Sequence, residues 1–238
     1  MSAELKLVHF GRAFGRPDGS PFCVKPEAYL RLLGVPYELV RGNPMKAPRS
    51  QLPVLLHGSR TIAGSQEIIE HLRTEFGNQV DAWLTQEQEV QGYHLAKSVE
   101  EYLYFLLLYQ RWMLEENFQL VKRAFFGEMP LLARFLIPIL ARRGSKQRLW
   151  GQGVGRYTAE EVDARAYEAV KNLSQTLGEK PFFLGDKPCW VDCSMYGFVT
   201  NLMIPDFPRG ASLWVREFDN LVAYETRFTE LAFPELLQ

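Results

Sequence analysis

Ser20 and Cys23 are separated by two residues in the sequence Ser-Pro-Phe-Cys, at the start of a helix-like segment. The spacing is that of a Cys-x-x-Cys redox motif whose first cysteine is a serine. A serine cannot exchange disulfides, so disulfide reductase chemistry is not expected. At a helix N-terminus its hydroxyl can still donate a hydrogen bond to a thiolate that another molecule brings. Ser20 is therefore a candidate catalytic residue, or else only the cap of a helix that begins with Pro21.

Two further residues bear on this chemistry. Ser65 begins a second helix-like segment, where its hydroxyl and the first backbone N–H groups could bind an anion, or where it could act simply as the N-cap. Cys23 occupies the resolving position of a redox pair without its attacking partner, so we interpret it as a small buried hydrophobic residue. The four histidines show no metal-ligand spacing, and no metal is expected.

Composition narrows the class of protein. The 238 residues include 47% hydrophobic residues, which indicates a packed globular chain, and 27 Lys and Arg against 28 Asp and Glu give no electrostatic reason to expect nucleic acid. Three cysteines are too few for a disulfide framework, which favours a reducing compartment. The N-terminus lacks the apolar core of a signal peptide, and the apolar run 129–141 is too short to span a membrane. A soluble, cytoplasmic protein is expected.

The elements that must position these residues differ between the two halves of the chain. Short strands are predicted at 5–10, 35–40, 52–56 and 60–62, with helices at 22–33 and from Ser65 onward. This order, β-α-β-β-β-α, is thioredoxin-like. Beyond residue 85 the pattern is helical, at about 86–115, 117–142, 158–178, 189–203 and 215–229. The fold class is therefore an α/β domain, 1–77, and an all-α domain, 86–238, joined by a linker at 77–82.

Three blocks in this order resemble the glutathione transferase superfamily over nearly the whole chain. They are the Ser-Pro-Phe-Cys segment with its helix and the strand after it, Leu-Pro-Val-Leu at 52–55 with Ile-Ala-Gly-Ser-Gln-Glu-Ile-Ile at 62–69, and Phe-Leu-Gly-Asp-Lys-Pro at 183–188 with Asp192. The late segment 220–227 is most similar to the failed-axon-connections and metaxin-like branch. The third block implies that Asp192 accepts a hydrogen bond from the backbone N–H of Cys189 and serves folding.

The resemblance implies a glutathione site. The bond between Leu52 and Pro53 would be cis and would turn the Leu52 backbone towards the cysteinyl part of glutathione; an ordinary trans proline at an edge strand is the alternative. Ser65, with Gln66, would hold the γ-glutamyl carboxylate. The glycine carboxylate would meet Lys46 or Arg49, unless these two belong to a solvated basic loop; their separate roles stay open.

The same resemblance implies further features. Gly64 is a departure, because relatives carry Glu, Gln or Asp immediately before the serine; losing that charge-assisted hydrogen bond would cost about 1.5–3 kcal/mol. A hydrophobic-substrate site would be lined by four aromatic residues, each of which could instead be a core or dimer contact: Phe22, Tyr102, Tyr109 and Trp112. A homodimer and a role in detoxification are also implied.

Two hypotheses for function follow. The first is a serine-type glutathione transferase that binds glutathione as a substrate, stabilises its thiolate through Ser20 and adds it to an electrophilic, hydrophobic substrate. The second is a non-catalytic binding or scaffold module on the same fold, which the failed-axon and metaxin-like resemblance implies and the glycine at position 64 favours.

Overall fold

The computed structural model describes residues 4–237. The strands of the described chain are β1 (Leu5–His9), β2 (Glu38–Arg41), β3 (Val54–His57) and β4 (Arg60–Ala63). Its α-helices are α1 (Pro21–Leu33), α2 (Ser65–Phe76), α3 (Gln86–Lys97), α4 (Tyr104–Trp112), α5 (Glu115–Phe126), α6 (Leu131–Gln152), α7 (Ala159–Leu177), α8 (Trp190–Leu202) and α9 (Asp219–Ala232). A π-helical segment, Ser98–Leu103, joins α3 to α4.

The four strands form one mixed sheet in the order β2-β1-β3-β4. The pair β1–β2 is parallel, as the crossover through α1 requires, while β1–β3 and β3–β4 are antiparallel. Strands β3 and β4 are joined by a tight turn in which Gly58 adopts φ 59°, a left-handed conformation that favours glycine. The predicted β-α-β-β-β-α order and the helical second half are confirmed.

The sheet is stabilised by burial of alternate apolar side chains. Leu7 of β1 lies opposite Leu55 of β3, and both are fully buried. Helix α2 buries Ile68, Ile69 and Leu72 on one face, which is the i, i+1, i+4 spacing of a helix with a single apolar stripe. Each fully buried aliphatic side chain contributes about 1.5–3 kcal/mol, so this layer fixes the positions of the strand ends.

The helical half differs from the sequence prediction at one place. A single helix was predicted over 117–142, whereas α5 ends at Phe126 and α6 begins at Leu131. Pro130 supplies the physical reason, because the residue before a proline is disfavoured in the α region and helices therefore end ahead of it. The predicted helices at 158–178, 189–203 and 215–229 correspond to α7, α8 and α9.

Two compact units are present in the described chain. Unit 1 comprises residues 4–96, 179–201 and 223–237; unit 2 comprises 97–178 and 202–222. The segment 77–82, predicted as a linker, belongs to unit 1 and is anchored there by Asp81. The buried Asp81 carboxylate accepts hydrogen bonds from the Tyr29 hydroxyl at 2.8 Å, Arg73 Nε at 2.9 Å and the Trp190 backbone N–H at 2.7 Å. The domain boundary itself stays a prediction.

Asp192 organises the start of α8. Its buried carboxylate accepts the backbone N–H of Cys189 at 3.0 Å, as predicted, and also that of Phe183 at 2.9 Å. Burial raises the pKa of Asp192 to about 6, against the effect of these hydrogen bonds. The residue therefore serves folding, because both donors are backbone groups that would otherwise be buried without a partner.

No helix within residues 4–237 is both long and apolar enough to cross a membrane.

Candidate functional site

The candidate site lies at one edge of the sheet in unit 1. Because β3 runs antiparallel to β1 and β4, the register pairs Val54 at the start of β3 with Val8 near the end of β1 and with Ala63 at the end of β4. The Gly64 N–H donates to the Pro53 carbonyl at 3.2 Å. The segments that follow β1 and β4 and the one that precedes β3 therefore meet at the same edge.

Ser20 reaches this edge through the loop between β1 and α1, which a buried carboxylate holds. Asp18 accepts hydrogen bonds from the Ser20 N–H at 2.7 Å, the Gly11 N–H at 2.9 Å and His9 Nδ1 at 2.9 Å. Because these donors come from both ends of the loop, Asp18 fixes the backbone at Ser20. Sequence reasoning assigned no role to Asp18 or His9, and no motif marks them.

The Ser20 hydroxyl is not used to cap α1. Its backbone lies at φ −109° and ψ 121°, the extended conformation of an N-cap residue, but its side chain makes no capping hydrogen bond. Its carbonyl accepts from the N–H groups of Cys23 at 3.0 Å and Val24 at 3.1 Å. Since the backbone alone starts the helix, the half-buried hydroxyl lies at the helix N-terminus beside the Cys23 thiol, where a negative charge is stabilised.

Cys23 is unsuited to redox chemistry. The thiol is fully buried and packs with Leu52 and Val54. Burial raises the pKa of Cys23 well above its usual value, and the opposing hydrogen bonds with the Phe10 backbone and the Ser20 side chain do not compensate. The interpretation of Cys23 as a small hydrophobic residue is confirmed.

The bond between Leu52 and Pro53 is cis. The Leu52 side chain is buried beside Cys23, while its backbone N–H and carbonyl make no hydrogen bond to any other described residue. A backbone N–H and C=O without partners are the groups that pair with a peptide in extended conformation.

Ser65 is the first residue of α2, and Gly64 rather than Ser65 is the N-cap. The predicted cap role is therefore wrong, because the chain turns at Gly64 with φ 110°, a conformation that L-residues rarely adopt. Ser65 is only 9% exposed, and its hydroxyl has no hydrogen-bond partner among residues 4–237. A hydroxyl beside a helix N-terminus is suited to an anion.

The space beside Gly64 is filled by Glu67. A Cβ atom built on Gly64 would overlap Glu67 Oε2, so this carboxylate stands where a side chain at position 64 would begin. Burial acts to raise the pKa of Glu67, but the hydrogen bond from Arg49, a backbone hydrogen bond and the charges of Arg49 and Lys25 together outweigh it, so the pKa lies below its usual value. Sequence reasoning missed Glu67, although an acidic residue three positions after a helix cap is a known pattern.

The remaining residues predicted for glutathione are placed as follows. Arg49 Nη1 donates to Glu67 Oε1 at 2.7 Å, and Lys25 Nζ donates to Gln66 Oε1 at 2.8 Å. Lys46 ends a short 3₁₀ turn and is exposed. Arg49 has φ 57°, which is uncommon outside glycine and typical of loops that the surrounding structure holds in place.

The four predicted substrate-site aromatics divide between the units. In unit 1, Phe22 makes an edge contact with Phe198 at 5.7 Å between ring centroids. In unit 2, Tyr102 lies in the π-helical segment and is exposed, and burial raises the pKa of Tyr109.

Trp112, also in unit 2, packs against Phe118 and Phe126, with centroids 5.8 and 6.4 Å away. Trp112 therefore contributes to an aromatic cluster, and a joint substrate site for the four residues stays a prediction. No cluster of three or more His, Cys, Asp or Glu residues suited to a metal occurs in the described part of the chain.

Comparison with known proteins identifies the family. The model of the Glutathione S-transferase N-terminal domain matches residues 21–117, and that of the Glutathione S-transferase, C-terminal domain matches 166–228. Isoprene-epoxide--glutathione S-transferase of Rhodococcus sp. (strain AD45) is 31% identical over 225 residues, covering 90% of this chain and 93% of that protein. The chain belongs to the glutathione S-transferase family. Within the family it is also 28% identical to Failed axon connections of Drosophila melanogaster and 29% identical to human Metaxin-1.

These two relatives are longer than this glutathione S-transferase family member. The chain spans 58% of the length of Failed axon connections and 52% of Metaxin-1, while 96% and 98% of the chain are covered. Among solved structures, Beta-etherase LigF from Sphingobium sp. strain SYK-6 superposes with a TM-score of 0.68 at 19% identity, over 98% of both chains. At that identity the likeness shows the fold alone.

Proposed function

We propose that the protein binds glutathione, stabilises its thiolate through Ser20 and conjugates it to an electrophilic, hydrophobic substrate. One observation carries the proposal. The Ser20 hydroxyl, which does not cap α1, lies at the same sheet edge as the Leu52 backbone and the Ser65 hydroxyl, and neither of these two has a hydrogen-bond partner among residues 4–237. A family member from Pseudomonas fluorescens pf-5, solved with two glutathione bound, has the same fold, at 15% identity, a TM-score of 0.64 and coverage of 98% of this chain and 92% of that one.

Each part of the tripeptide has a partner in this proposal. The Leu52 N–H and carbonyl pair with the cysteinyl backbone, and Ser65 with the first N–H groups of α2 holds the γ-glutamyl carboxylate. Glu67 takes the place of the acidic residue missing at position 64 and accepts the γ-glutamyl ammonium. Breaking the ion pair between Glu67 and Arg49 would cost only about 0–1 kcal/mol, because the Arg49 and Glu67 side chains are 65% and 45% exposed.

Ser20 acts on the sulfur. A hydrogen bond to a charged group contributes about 1.5–3 kcal/mol, which lowers the pKa of a bound thiol by roughly one to two units. The name of the Rhodococcus relative suggests an epoxide as the first electrophile to assay. The thiolate sulfur would form a bond to an epoxide carbon, the C–O bond would break, and the alkoxide would take a proton from water.

Titration calorimetry with reduced glutathione tests binding, and conjugation of an epoxide followed by mass spectrometry tests chemistry. Binding in the millimolar range or tighter, with conjugate formed, is the expected result. Absence of heat at millimolar glutathione would rule out the transferase.

A binding or scaffold module without transferase chemistry is the second candidate. The observation that favours it is that Glu67 and Gln66 are already engaged, by Arg49 and Lys25 respectively. In that case glutathione would bind weakly or not at all, and no bound thiol would show a lowered pKa.

Homodimer formation and a cytoplasmic location remain part of the first proposal; sedimentation equilibrium and cell fractionation test them.

A further inference from the structure

The helix α6 carries an apolar face that is exposed to solvent. Its 22 residues bury only Pro138, Ser145 and Leu149 on one side. On the other side lie five large apolar residues that are between 55% and 78% exposed: Leu132, Phe135, Leu136, Ile139 and Leu140. Their spacing, i, i+3, i+4, i+7 and i+8, is the stripe that a helix normally turns towards a core.

The exposed face continues with aromatic and basic residues. Trp150 lies 18 residues, or five full turns, after Leu132 and so shares its direction from the helix axis; it is 59% exposed. Arg143 and Lys146 lie between them and are exposed, and neither forms an ion pair with a described residue. From the neighbouring α5, Lys122 Nζ lies 5.6 Å from the centroid of the Phe135 ring.

The charge of α6 is of a single sign. The helix contains five cations (Arg134, Arg142, Arg143, Lys146 and Arg148) and no carboxylate, although the chain as a whole has a net charge of −1. Arg142 is paired, through Glu115 of α5 and the carbonyls of Trp112 and Met113. Helices that lie on an anionic membrane surface combine a face of Leu, Phe and Trp, which enters the headgroup region, with Lys and Arg that meet the anionic lipids. The exposed side of α6 supplies both kinds of residue.

We propose that α6 binds the surface of an anionic phospholipid bilayer, with its apolar stripe inserted at the level of the headgroups. A second copy of the chain fits this face less well, because a symmetric contact would bring two sets of cations together. The helix lies on the membrane and does not cross it, consistent with the lack of a spanning helix in residues 4–237.

Flotation with vesicles of phosphatidylcholine and phosphatidylserine tests the proposal. The wild-type protein should float with these vesicles, less with pure phosphatidylcholine, and less at high salt. The double variant Arg143→Gln/Lys146→Gln should lower the partition coefficient about 25-fold, since one cation contributes about fivefold. Leu136→Gln/Ile139→Gln should lower it by at least about a hundredfold.

Matched controls separate binding from folding and assembly. Leu213→Gln/Leu231→Gln removes two leucines exposed elsewhere and should float like wild type; circular dichroism confirms that each variant is folded. Failure of the wild type to float, or flotation that the α6 variants leave unchanged, would overturn the proposal. So would a dimer, seen by light scattering, that the Leu136 and Ile139 substitutions convert to monomer, because the face would then bind a second copy.

Discussion

Replacing Glu67 by glutamine is expected to weaken glutathione binding about 10- to 150-fold. The Glu67 carboxylate occupies the space where a side chain at position 64 would start. If it binds the γ-glutamyl ammonium, glutamine removes a charge-assisted hydrogen bond of about 1.5–3 kcal/mol, which gives that loss of affinity. The shape of the side chain is kept.

Calorimetry with two ligands isolates the contact. The second ligand is glutaryl-cysteinyl-glycine, which is glutathione without its amino group. Wild type should prefer glutathione over this analogue by the same factor, while Glu67→Gln should bind both about equally. The matched control is Glu70→Gln, one turn further along α2, where the carboxylate accepts from Gln66 Nε2 at 3.3 Å; its effect should be less than threefold.

Two outcomes would refute different parts of the reasoning. Equal loss of both ligands in Glu67→Gln, or no loss of either, would show that Glu67 does not contact the ammonium, with glutathione binding intact. No binding of glutathione by the wild type would instead refute the proposed function itself.

Three further predictions concern Ser20 and Asp192. Ser20→Ala should raise the pKa of the bound glutathione thiol by about one to two units, measured by the ultraviolet absorbance of the thiolate, whereas Ser59→Ala in the β3–β4 turn should not; an unchanged pKa would leave Ser20 without a catalytic role. Asp192→Ala should lower the free energy of unfolding by about 2–6 kcal/mol in urea titrations, because the N–H groups of Cys189 and Phe183 lose their acceptor; a loss below 1 kcal/mol would contradict this. The pKa of Asp192 is raised from 3.8 to about 6, so the folded state holds a proton that the unfolded state releases, and wild-type stability should fall by about 2 kcal/mol between pH 4 and pH 6. Asp192→Asn should lack this pH dependence, and a wild-type curve flat over that range would refute the assignment.

The order of the elements and the family could be predicted from sequence because both depend on local patterns. Short β-favouring runs, a helix beginning at Pro21 and the later helical periodicity lie within contiguous segments. The break between α5 and α6 was missed, although Pro130 is a local signal, because apolar periodicity continues on both sides of it. The separate roles of Lys46 and Arg49 could not be predicted, since the pairing of Arg49 with Glu67 depends on how the loop folds.

The sequence by itself determined that a serine stands at the start of the first helix, that Leu52 and Pro53 precede a strand, and that position 64 has no side chain. Only the tertiary structure decided what this glycine means, because Glu67 fills the space beside it from the first turn of α2, where Arg49 from the loop before β3 holds its carboxylate. Only the tertiary structure likewise showed that Asp18 fixes the Ser20 backbone from within the loop. It also showed which face of α6 remains exposed to solvent. Residue type and spacing specify local conformation, whereas the partner of a carboxylate and the exposure of an apolar face depend on packing between segments distant in sequence.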